Sequence, residues 1–284
     1  MEVWYDTITD AATGTGLWLH HELISPTDGS DAYLHGWAAV FPSDGTPQWE
    51  RFGPAPAGDG PWFEALDVVA EPGVRRGSAG DLSWDLRYRD ASPPVFTFPR
   101  WTWRRAVLPA AQVVPSPVAT WEGTVRVGDQ QVELEDARGS AARIYGHGNA
   151  QRWGWLHADL GGGDVLEIVA AVPRRPVLDR FRPLPLVQIR TDGKVWPGNP
   201  LIAALRLRAR LGLPTWTVEG RWRGHHLRVE VTQPAEACVE VPYTDPDGAT
   251  ATCTNSERAS AHVVFDDLEW HLDGTAHAEI GSRP

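Results

Sequence analysis

Apolar and polar residues alternate along much of this chain, which is the pattern of strands that bury one face. In segment 204–211, four apolar side chains fall on one face and three arginines fall on the other. Segments 123–127 and 227–232 alternate in the same way. Because the side chains of a strand point to opposite faces in turn, these segments are predicted to be strands. No window longer than about ten residues has a clear helical period, so an all-β fold is predicted.

Tight-turn signals separate many of the short apolar runs. Asp-Gly pairs begin at six positions, namely Asp28, Asp44, Asp59, Asp192, Asp247 and Asp273. This dipeptide accepts the positive φ that tight hairpins need, so neighbouring runs are expected to pair antiparallel. The further predicted strands are 16–24, 32–41, 62–69, 82–89, 95–104, 132–135, 153–160, 165–172, 186–190, 215–223, 238–243, 249–254 and 262–265. Their number exceeds what one small sandwich uses.

A proline-rich segment predicts where one domain ends and the next begins. Segment 108–117 contains three prolines, which bias the backbone towards extended polyproline conformations. We place the boundary near residue 115, which gives domains 1–115 and 116–284. A chain of 284 residues is long enough for two domains of ordinary size.

Composition narrows the choice of ligands and partners. The net charge of −11, with no offsetting Lys/Arg cluster, disfavours nucleic acids and anionic membranes, because neutralising phosphate supplies most of such affinity. No apolar run reaches the roughly 20 residues of a membrane helix. No secretory signal is visible, so a cytoplasmic protein is expected. Fifteen tryptophans against one methionine predict rigid aromatic pocket walls. Cys238 and Cys253 are expected to be small buried residues. The oligomeric state stays open.

The first candidate site follows a glycine-rich turn after Tyr145. In a strand, Trp153, Trp155, His157 and Asp159 share one face. Such a face offers an apolar wall together with a proton donor, and it equally fits a packed barrel core with a bulge at the glycines. In the functional interpretation the catalytic candidates are His157, Asp159 and His147, and the ligand-contacting candidates are Tyr145, Asn149, Arg152, Trp153 and Trp155.

A second candidate site spans two predicted strands joined by a turn. Trp18, His20 and Glu22 share a face of one strand, and His35 and Trp37 share a face of the next. Antiparallel pairing would bring His20, Glu22 and His35 together. Two imidazoles and a carboxylate form the donor set of one class of metal site. Because no recognised metal spacing is present, a hydrogen-bonded lining of a ligand pocket is favoured.

The third candidate lies near the C-terminus. Asp245, Asp247 and Gly248 faintly resemble a calcium loop, but the remaining ligands are missing, and a tight hairpin explains these residues better. Asn255 and Glu257 share a face and are predicted to reach the pocket rim. The chain has no Gly-rich phosphate loop opening a helix, no G-x-S-x-G elbow, and no CxxC or HExxH motif. We therefore predict that the site uses neither a cofactor nor a metal.

Several motifs follow one another in a recognisable order. A Pro-rich crossover, Pro115–Pro117, precedes Trp121–Gly128, and a Tyr-Gly-His-Gly turn leads to the Trp153–Trp155 strand. This order resembles the double-lipocalin group, which includes hydroxyneurosporene synthase (carotenoid 1,2-hydratase), AttH-like proteins, tocopherol cyclase and fungal decalin-forming Diels–Alderases. In tocopherol cyclase a Phe-Pro precedes a Trp-x-Trp-x-Gln strand. Here the Phe-Pro stands elsewhere, in Phe98–Trp103, and His157 replaces the Gln.

The resemblance implies two lipocalin-like antiparallel β-barrels packed together, with a ligand site in or between them. We expect a hydrophobic ligand, a polyketide, polyene or terpenoid, and a cofactor-free cyclase or isomerase that orients a flexible substrate. Two alternatives stay open, a non-catalytic carrier and a carotenoid-hydratase-like enzyme that adds water to an alkene. A buried acid with a raised pKa would favour an enzyme. Trp101 and Trp103 are expected to pack in the closing strand of the first barrel.

Overall fold

The chain forms two antiparallel sheets, which the computed structural model describes over residues 1–58, 60–90, 92–104, 110–174 and 181–284. The first sheet contains β1 (Glu2–Asp10), β2 (Thr15–Ile24), β3 (Tyr33–Phe41), β4 (Gln48–Pro56), β5 (Phe63–Ala65), β6 (Val68–Glu71), β7 (Val74–Ala79), β8 (Leu82–Arg89), β9 (Ala110–Val127) and β10 (Gln130–Gly146). The second contains β11 (Arg152–Gly161), β12 (Asp164–Val172), β13 (Leu184–Thr191), β14 (Lys194–Trp196), β15 (Leu207–Arg210), β16 (Thr215–Trp222), β17 (His225–Thr232), β18 (Val239–Thr244), β19 (Thr250–Phe265) and β20 (Leu268–Ser282). The helices of the described residues are short, α1 (Arg100–Arg104), α2 (Pro200–Ala203) and a 3-10 turn at Ala235–Ala237.

Each sheet curls into a barrel. In the first sheet the strand order is β4-β3-β2-β1-β10-β9-β8-β7-β6-β5, and the two end strands, β4 and β5, lie next to each other. In the second sheet the order is β14-β13-β12-β11-β20-β19-β17-β16-β15, with β18 added on β19, and β13 approaches β15. Bringing the end strands together covers strand edges that would otherwise be exposed. The prediction of an all-β protein with two lipocalin-like barrels is confirmed.

Both barrels are filled by apolar side chains. Trp4, Phe63 and Trp121 belong to the core of the first barrel. Leu156 and Ala158 on β11 belong to the core of the second. Full burial of one large apolar side chain is worth about 1.5–3 kcal/mol. Two further apolar clusters combine residues of both sheets and therefore fasten one barrel to the other.

The change from one sheet to the other follows β10. Residue 115, our predicted boundary, lies inside β9, which pairs with β8 on one side and β10 on the other. The prolines are tolerated because β9 has register irregularities at this place. The segment 147–151 is the connection between the last strand of the first sheet and the first strand of the second. The start of the predicted connector, 108–109, lies outside the described residues.

The predicted strand 95–104 is wrong. Only Val95 makes a bridge, to Val114, and Arg100–Arg104 forms α1. Pro99 fixes the backbone just before this helix, and its carbonyl accepts the Thr102 N–H. Trp101 is therefore 53% exposed rather than packed in a barrel strand.

Turn chemistry is reproduced at most Asp-Gly pairs. Gly29, Gly45, Gly193 and Gly248 have positive φ. Gly274 also has positive φ, but it lies inside β20, opposite an irregular part of β19. Asp59 lies outside the described residues. Both cysteines are free, and Cys253 is buried whereas Cys238 is only partly buried. No helix of the described residues is long and apolar enough to cross a membrane.

Candidate functional site

A cavity of about 170 Å³ lies between the two sheets. Its lining comes from both barrels, from Met1, Val3, Tyr5, Trp18, His20, Glu22, Phe98, Ala110, Ala111, Gln112, Ile144, Gly146, Gly148, Asn149, Ala150, Trp153, Trp155, Val169, Ala171, Tyr243 and Glu279. Most of these side chains are apolar. The polar ones are few, so each can orient a ligand.

Strand β11 contributes the aromatic wall. Trp153 and Trp155 line the cavity, as predicted for a ligand wall. They lie outside the second barrel, however, because the alternate residues Leu156 and Ala158 fill its interior. The interpretation of this face as a barrel core is therefore wrong. Tyr5 of the opposite barrel packs edge-on against Trp155, with ring centroids 5.3 Å apart.

Glu279 on β20 is a carboxyl group that faces the cavity. Its Oε1 accepts the Trp153 indole N–H at 2.6 Å, and its Oε2 accepts the Cys253 thiol at 3.3 Å. Burial raises the pKa of Glu279 above its ordinary value, although these hydrogen bonds oppose the shift. The side chain stays half-buried because one side faces the cavity. It is thus a partly buried acid that is open to the cavity on one side.

Tight packing positions Trp153 beside this acid. Gly281 pairs with Trp153 across the strands, and a Cβ at Gly281 would lie 1.9 Å from the indole. Only glycine therefore allows the ring its observed place. Tyr243 stacks on Trp153 at 6.0 Å between centroids and lines the same wall. Burial raises the pKa of the Tyr243 hydroxyl well above its ordinary value, so it stays protonated.

The first barrel contributes an imidazole–carboxylate pair. His20 Nε2 is 2.9 Å from Glu22 Oε1, and His35 Nε2 is 2.9 Å from Glu22 Oε2. Burial pushes the pKa of Glu22 upward, but the two imidazoles outweigh it and lower the pKa to about 2. His20 also stacks on Trp37, with centroids 4.0 Å apart and planes 8° apart. The predicted meeting of these residues is observed, with the two imidazoles bound to opposite carboxylate oxygens.

Two further contacts fix the polar lining. Gln112 donates its amide N–H to the Tyr5 hydroxyl at 2.6 Å and accepts the Thr97 hydroxyl at 3.1 Å. At the other side, Asn149 donates its backbone N–H and its side-chain amide to Asp245. Asp245 also binds Arg283. Its oxygens are thus occupied by hydrogen bonds, which agrees with the hairpin interpretation of Asp245–Gly248 and not with a calcium loop.

A second polar region lies beside the cavity and is sealed from it. Glu167, His157, His277 and Glu257 follow one another across β12, β11, β20 and β19, and we call these four residues the buried row. His157 Nδ1 is 2.6 Å from Glu167 Oε1, and both side chains are fully buried. His277 Nδ1 is 2.5 Å from Glu257 Oε2.

The two pairs of the buried row differ in their hydrogen bonds and in the effect of burial on their members. Burial raises the pKa of Glu257 well above its ordinary value. Burial, reinforced by the nearby His157, lowers the pKa of His277 well below its ordinary value. Both shifts favour the uncharged forms of Glu257 and His277. Glu167 instead accepts two hydrogen bonds, from His157 and from the Trp155 indole at 3.2 Å.

The structure separates the predicted site residues into two sets. The cavity lining contains Trp18, His20, Glu22, Asn149, Trp153 and Trp155. It does not contain His147, His157, Asp159, Tyr145, Arg152, His35, Trp37, Asn255 or Glu257. Asp159 binds Arg138 at 3.1 Å near the surface, and His147 and Arg152 are exposed. Tyr145 donates its hydroxyl to the Thr102 carbonyl. His157, Asn255 and Glu257 are buried behind the lining.

Several residues that line the cavity were not predicted from the sequence. Glu279, Tyr243, Tyr5 and Gln112 lie on strands that the hydrophobic pattern did not reveal or did not connect to the site. A local signal existed for Glu279. In the segment His277–Gly281, polar and apolar residues alternate, which places His277 and Glu279 on one face.

Comparisons with known proteins agree with this architecture. A family model described as tocopherol cyclase-like matches residues 70–281. The uncharacterized protein Rv0493c of Mycobacterium tuberculosis (strain ATCC 25618 / H37Rv) is 49% identical over 286 residues, which cover 100% of this chain and 86% of that protein.

Solved structures establish the same fold at low sequence identity. Kievitone hydratase from Nectria haematococca has a TM-score of 0.65 at 12% identity, covering 98% of this chain and 88% of that one. CghA in complex with Sch210972 has a TM-score of 0.65 at 13% identity, covering 99% and 88%. A putative AttH from Nitrosomonas europaea has a TM-score of 0.60 at 16% identity, covering 98% and 91%. The resemblance drawn from the motifs is confirmed.

Proposed function

The chain belongs to the tocopherol cyclase-like family, and on that premise we propose that it is a cofactor-independent cyclase or isomerase of a hydrophobic small molecule. The substrate class is a polyketide, polyene or terpenoid, bound in the cavity between the barrels. The main support for this proposal is that the largely apolar cavity is lined by a carboxyl group, Glu279, whose pKa is raised. A carrier needs no acid at this position, whereas an acid-catalysed reaction does.

Glu279 supplies the proton in this mechanism. Its carboxyl O–H protonates one carbon of a substrate alkene, and a second alkene or a hydroxyl oxygen attacks the resulting cation to close a ring. The proton lost from the attacking group returns to the Glu279 carboxylate, so substrate and product have the same composition. The hydrogen bonds from Trp153 and Cys253 hold the carboxyl group in one orientation.

The aromatic wall has two tasks in the same step. Trp153, Trp155 and Trp18 shape an apolar surface against which a flexible chain folds. Indole faces also attract cationic charge, which develops on the substrate after protonation. His20 lies across the cavity, oriented by Glu22, and is the second group able to hold a proton.

Hydration of an alkene is the second candidate function. A structural relative is a kievitone hydratase, and the same acid serves this reaction. Glu279 would protonate the alkene, a water oxygen would add to the cation, and the proton lost from that water would return to Glu279.

The test combines binding and turnover. Tryptophan fluorescence quenching is measured against polyenes, decalin-type products, kievitone and Sch210972, and each bound compound is incubated with the protein and followed by mass spectrometry. We expect saturable quenching, together with a new chromatographic peak ahead of the mass spectrometer, of unchanged mass for cyclisation and of one added water for hydration. Binding without any turnover would assign the protein as a carrier, and no binding to any apolar compound would refute the proposal.

The variant Glu279→Gln tests the assigned acid. The amide keeps the shape and a hydrogen-bonding group but has no acidic proton. Turnover is expected to fall about 10²–10⁴-fold, with ligand affinity nearly unchanged. Asp159→Asn is the matched control, because Asp159 lies on the same face of the second barrel but binds Arg138 outside the cavity. Equal turnover in wild type and Glu279→Gln would remove Glu279 as the acid.

A further inference from the structure

A histidine–glutamate–histidine cluster lies on the surface of the second barrel, far from the cavity. His262 Nε2 is 2.7 Å from Glu269 Oε1, and His271 Nε2 is 3.3 Å from the same oxygen. The three donor atoms all lie within 4.8 Å of one another. At about 3.4 Å per residue, His271 lies roughly 25 Å along β20 from Glu279. The cluster is therefore independent of the proposed reaction.

The β19–β20 hairpin holds the three donors in place. His262 and His271 are directly opposite each other in the register of the two strands. Their rings stack in parallel, with centroids 4.4 Å apart and planes 11° apart. Both imidazoles therefore already point to one side of the hairpin, next to the carboxylate of Glu269. A ligand bound here requires only small side-chain rotations, because the paired strands fix the backbone.

The charges around the cluster favour a cation. The hydrogen bond from His262 holds the pKa of Glu269 below its ordinary value, so this carboxylate is ionised. Glu230 on β17 is opposite His262 on its other side and adds a second carboxylate to the same surface. Arg228 is a basic residue beside this cluster, and its guanidinium nitrogen lies 3.9 Å from Glu230 Oε2.

We propose that His262, Glu269 and His271 form a binding site for a divalent transition-metal ion of the zinc class. Two imidazole nitrogens and one carboxylate oxygen suit Zn²⁺, Ni²⁺ or Cu²⁺, whereas Ca²⁺ and Mg²⁺ prefer oxygen ligands. The ion would join β19 to β20 and complete its coordination with solvent, since the site is open on its outer side. Bond lengths of about 2.0–2.1 Å to Zn²⁺ require the donors to turn slightly towards a common centre.

Isothermal titration of the full chain with ZnCl₂ at pH 7.5 tests the proposal. We expect one Zn²⁺ per chain, tighter binding of Ni²⁺ or Cu²⁺ under the same conditions, and no binding of Mg²⁺. Affinity should fall in acidic buffer, because protons compete with the metal ion for its ligands. Zn²⁺ should also raise the melting temperature of the wild type.

Variants distinguish the cluster from other surface histidines. His271→Ala and Glu269→Gln are expected to weaken Zn²⁺ binding roughly tenfold or more and to remove the rise in melting temperature. His225→Ala is the matched control, because His225 is an exposed histidine on the same barrel that has a single carboxylate partner, Asp266, at 2.6 Å. No Zn²⁺ binding by the wild type, equal losses in His225→Ala and His271→Ala, or Mg²⁺ binding as tight as Zn²⁺ binding would each overturn the site. Because all three side chains are at least partly exposed, the variants are expected to fold, and circular dichroism checks this.

Discussion

Two polar regions lie side by side on the face where the second barrel meets the first, and their surroundings are opposite. Around Glu279, a carboxyl group with a raised pKa faces a cavity that a ligand can enter. In the buried row, two carboxyl groups and two imidazoles are fully enclosed and bind one another. Both regions contain the same kinds of side chain, glutamate and histidine beside tryptophan, but of these two regions Glu279 alone lines the cavity.

Access to the cavity, rather than residue type, separates the catalytic candidate from the structural one. A sealed imidazole–carboxylate pair has no molecule to receive its proton, and its removal leaves an unpaired buried group. A carboxyl group at a cavity wall can give its proton to a bound molecule at little structural cost. The buried row is therefore expected to govern stability, and Glu279 is expected to govern turnover.

The largest expected effect on stability is in the buried row. Glu167→Ala removes the acceptor of both His157 and the Trp155 indole, which leaves two buried donors unpaired. The free energy of unfolding is expected to fall by about 3–5 kcal/mol. Urea denaturation measures it, with Glu122→Ala as the control, because Glu122 is exposed and forms only a loose pair with Arg89. A loss in Glu167→Ala no larger than that of the control would contradict a structural role for the row.

The next largest effect is on the free energy of unfolding at acidic pH. It is expected at Glu22, on the side of the cavity that the first barrel forms. The pKa of Glu22 is about 2 in the folded protein, against an ordinary value of 4.5. A carboxyl group with a lowered folded pKa adds stability above its unfolded pKa, and this contribution disappears as the pH falls from 4.5 towards 2. The contribution is about 3 kcal/mol.

Glu22→Gln should therefore lack this acid dependence. The difference in free energy of unfolding between wild type and variant is expected to be largest at pH 6 and to shrink steadily at lower pH. Chemical denaturation at a series of pH values measures it. A difference that stays constant with pH would show that Glu22 is not held ionised by His20 and His35.

A glycine substitution should damage the cavity without touching the buried row. In Gly281→Ala the new methyl group collides with Trp153, whose ring must move away from Glu279. Overpacking of this kind costs about 1–3 kcal/mol. Quenching by a bound ligand should weaken, and the loss of stability should be smaller than the one expected for Glu167→Ala. Gly198→Ala is a control for the substitution itself, because Gly198 has no positive φ and an added Cβ there would have nothing within 4 Å. Unchanged quenching in Gly281→Ala would mean that Trp153 does not contact the ligand.

The smallest effect is expected at Asp159, which lies on β11 two residues beyond His157 of the buried row. Asp159→Asn weakens the ion pair with Arg138, which is 44% exposed. Such pairs contribute about 0.2–1 kcal/mol. We expect a small loss of stability and unchanged turnover. A large loss of turnover would return Asp159 to the catalytic role that the sequence pattern proposed for it.

Strand alternation predicted those parts of the site that belong to half-buried strands. It gave β2, β3 and β11, and it correctly placed His20, Glu22 and His35 together. It failed for β1, which is buried on both faces and includes Asp6, Thr7 and Thr9, because a strand with two buried faces has no polar side to alternate. It also failed for β20, where Asp273-Gly274 reads as a hairpin although it forms an irregularity within the strand.

The location of the cavity was beyond the reach of local patterns. Alternation shows that Trp153 and Trp155 share a face but not whether that face is the inside or the outside of a barrel. The answer depends on Leu156, Ala158 and the strands that they meet, which lie far apart in the sequence. For the same reason Glu279 was not connected with Trp153, from which 126 positions separate it.

The two faces of β11 have different surroundings, and this separation bears on how the protein could acquire a new ligand preference. Its inward side chains Leu156 and Ala158 belong to the core of the second barrel, and its outward side chains Trp153 and Trp155 line the cavity, so the strand separates core packing from the proposed ligand contacts. Under the proposed function, changes at Trp153 and Trp155 would alter the cavity while leaving both barrel interiors intact. His157 lies on the same face but belongs to the buried row, so a new ligand preference is best sought at the cavity-lining positions alone.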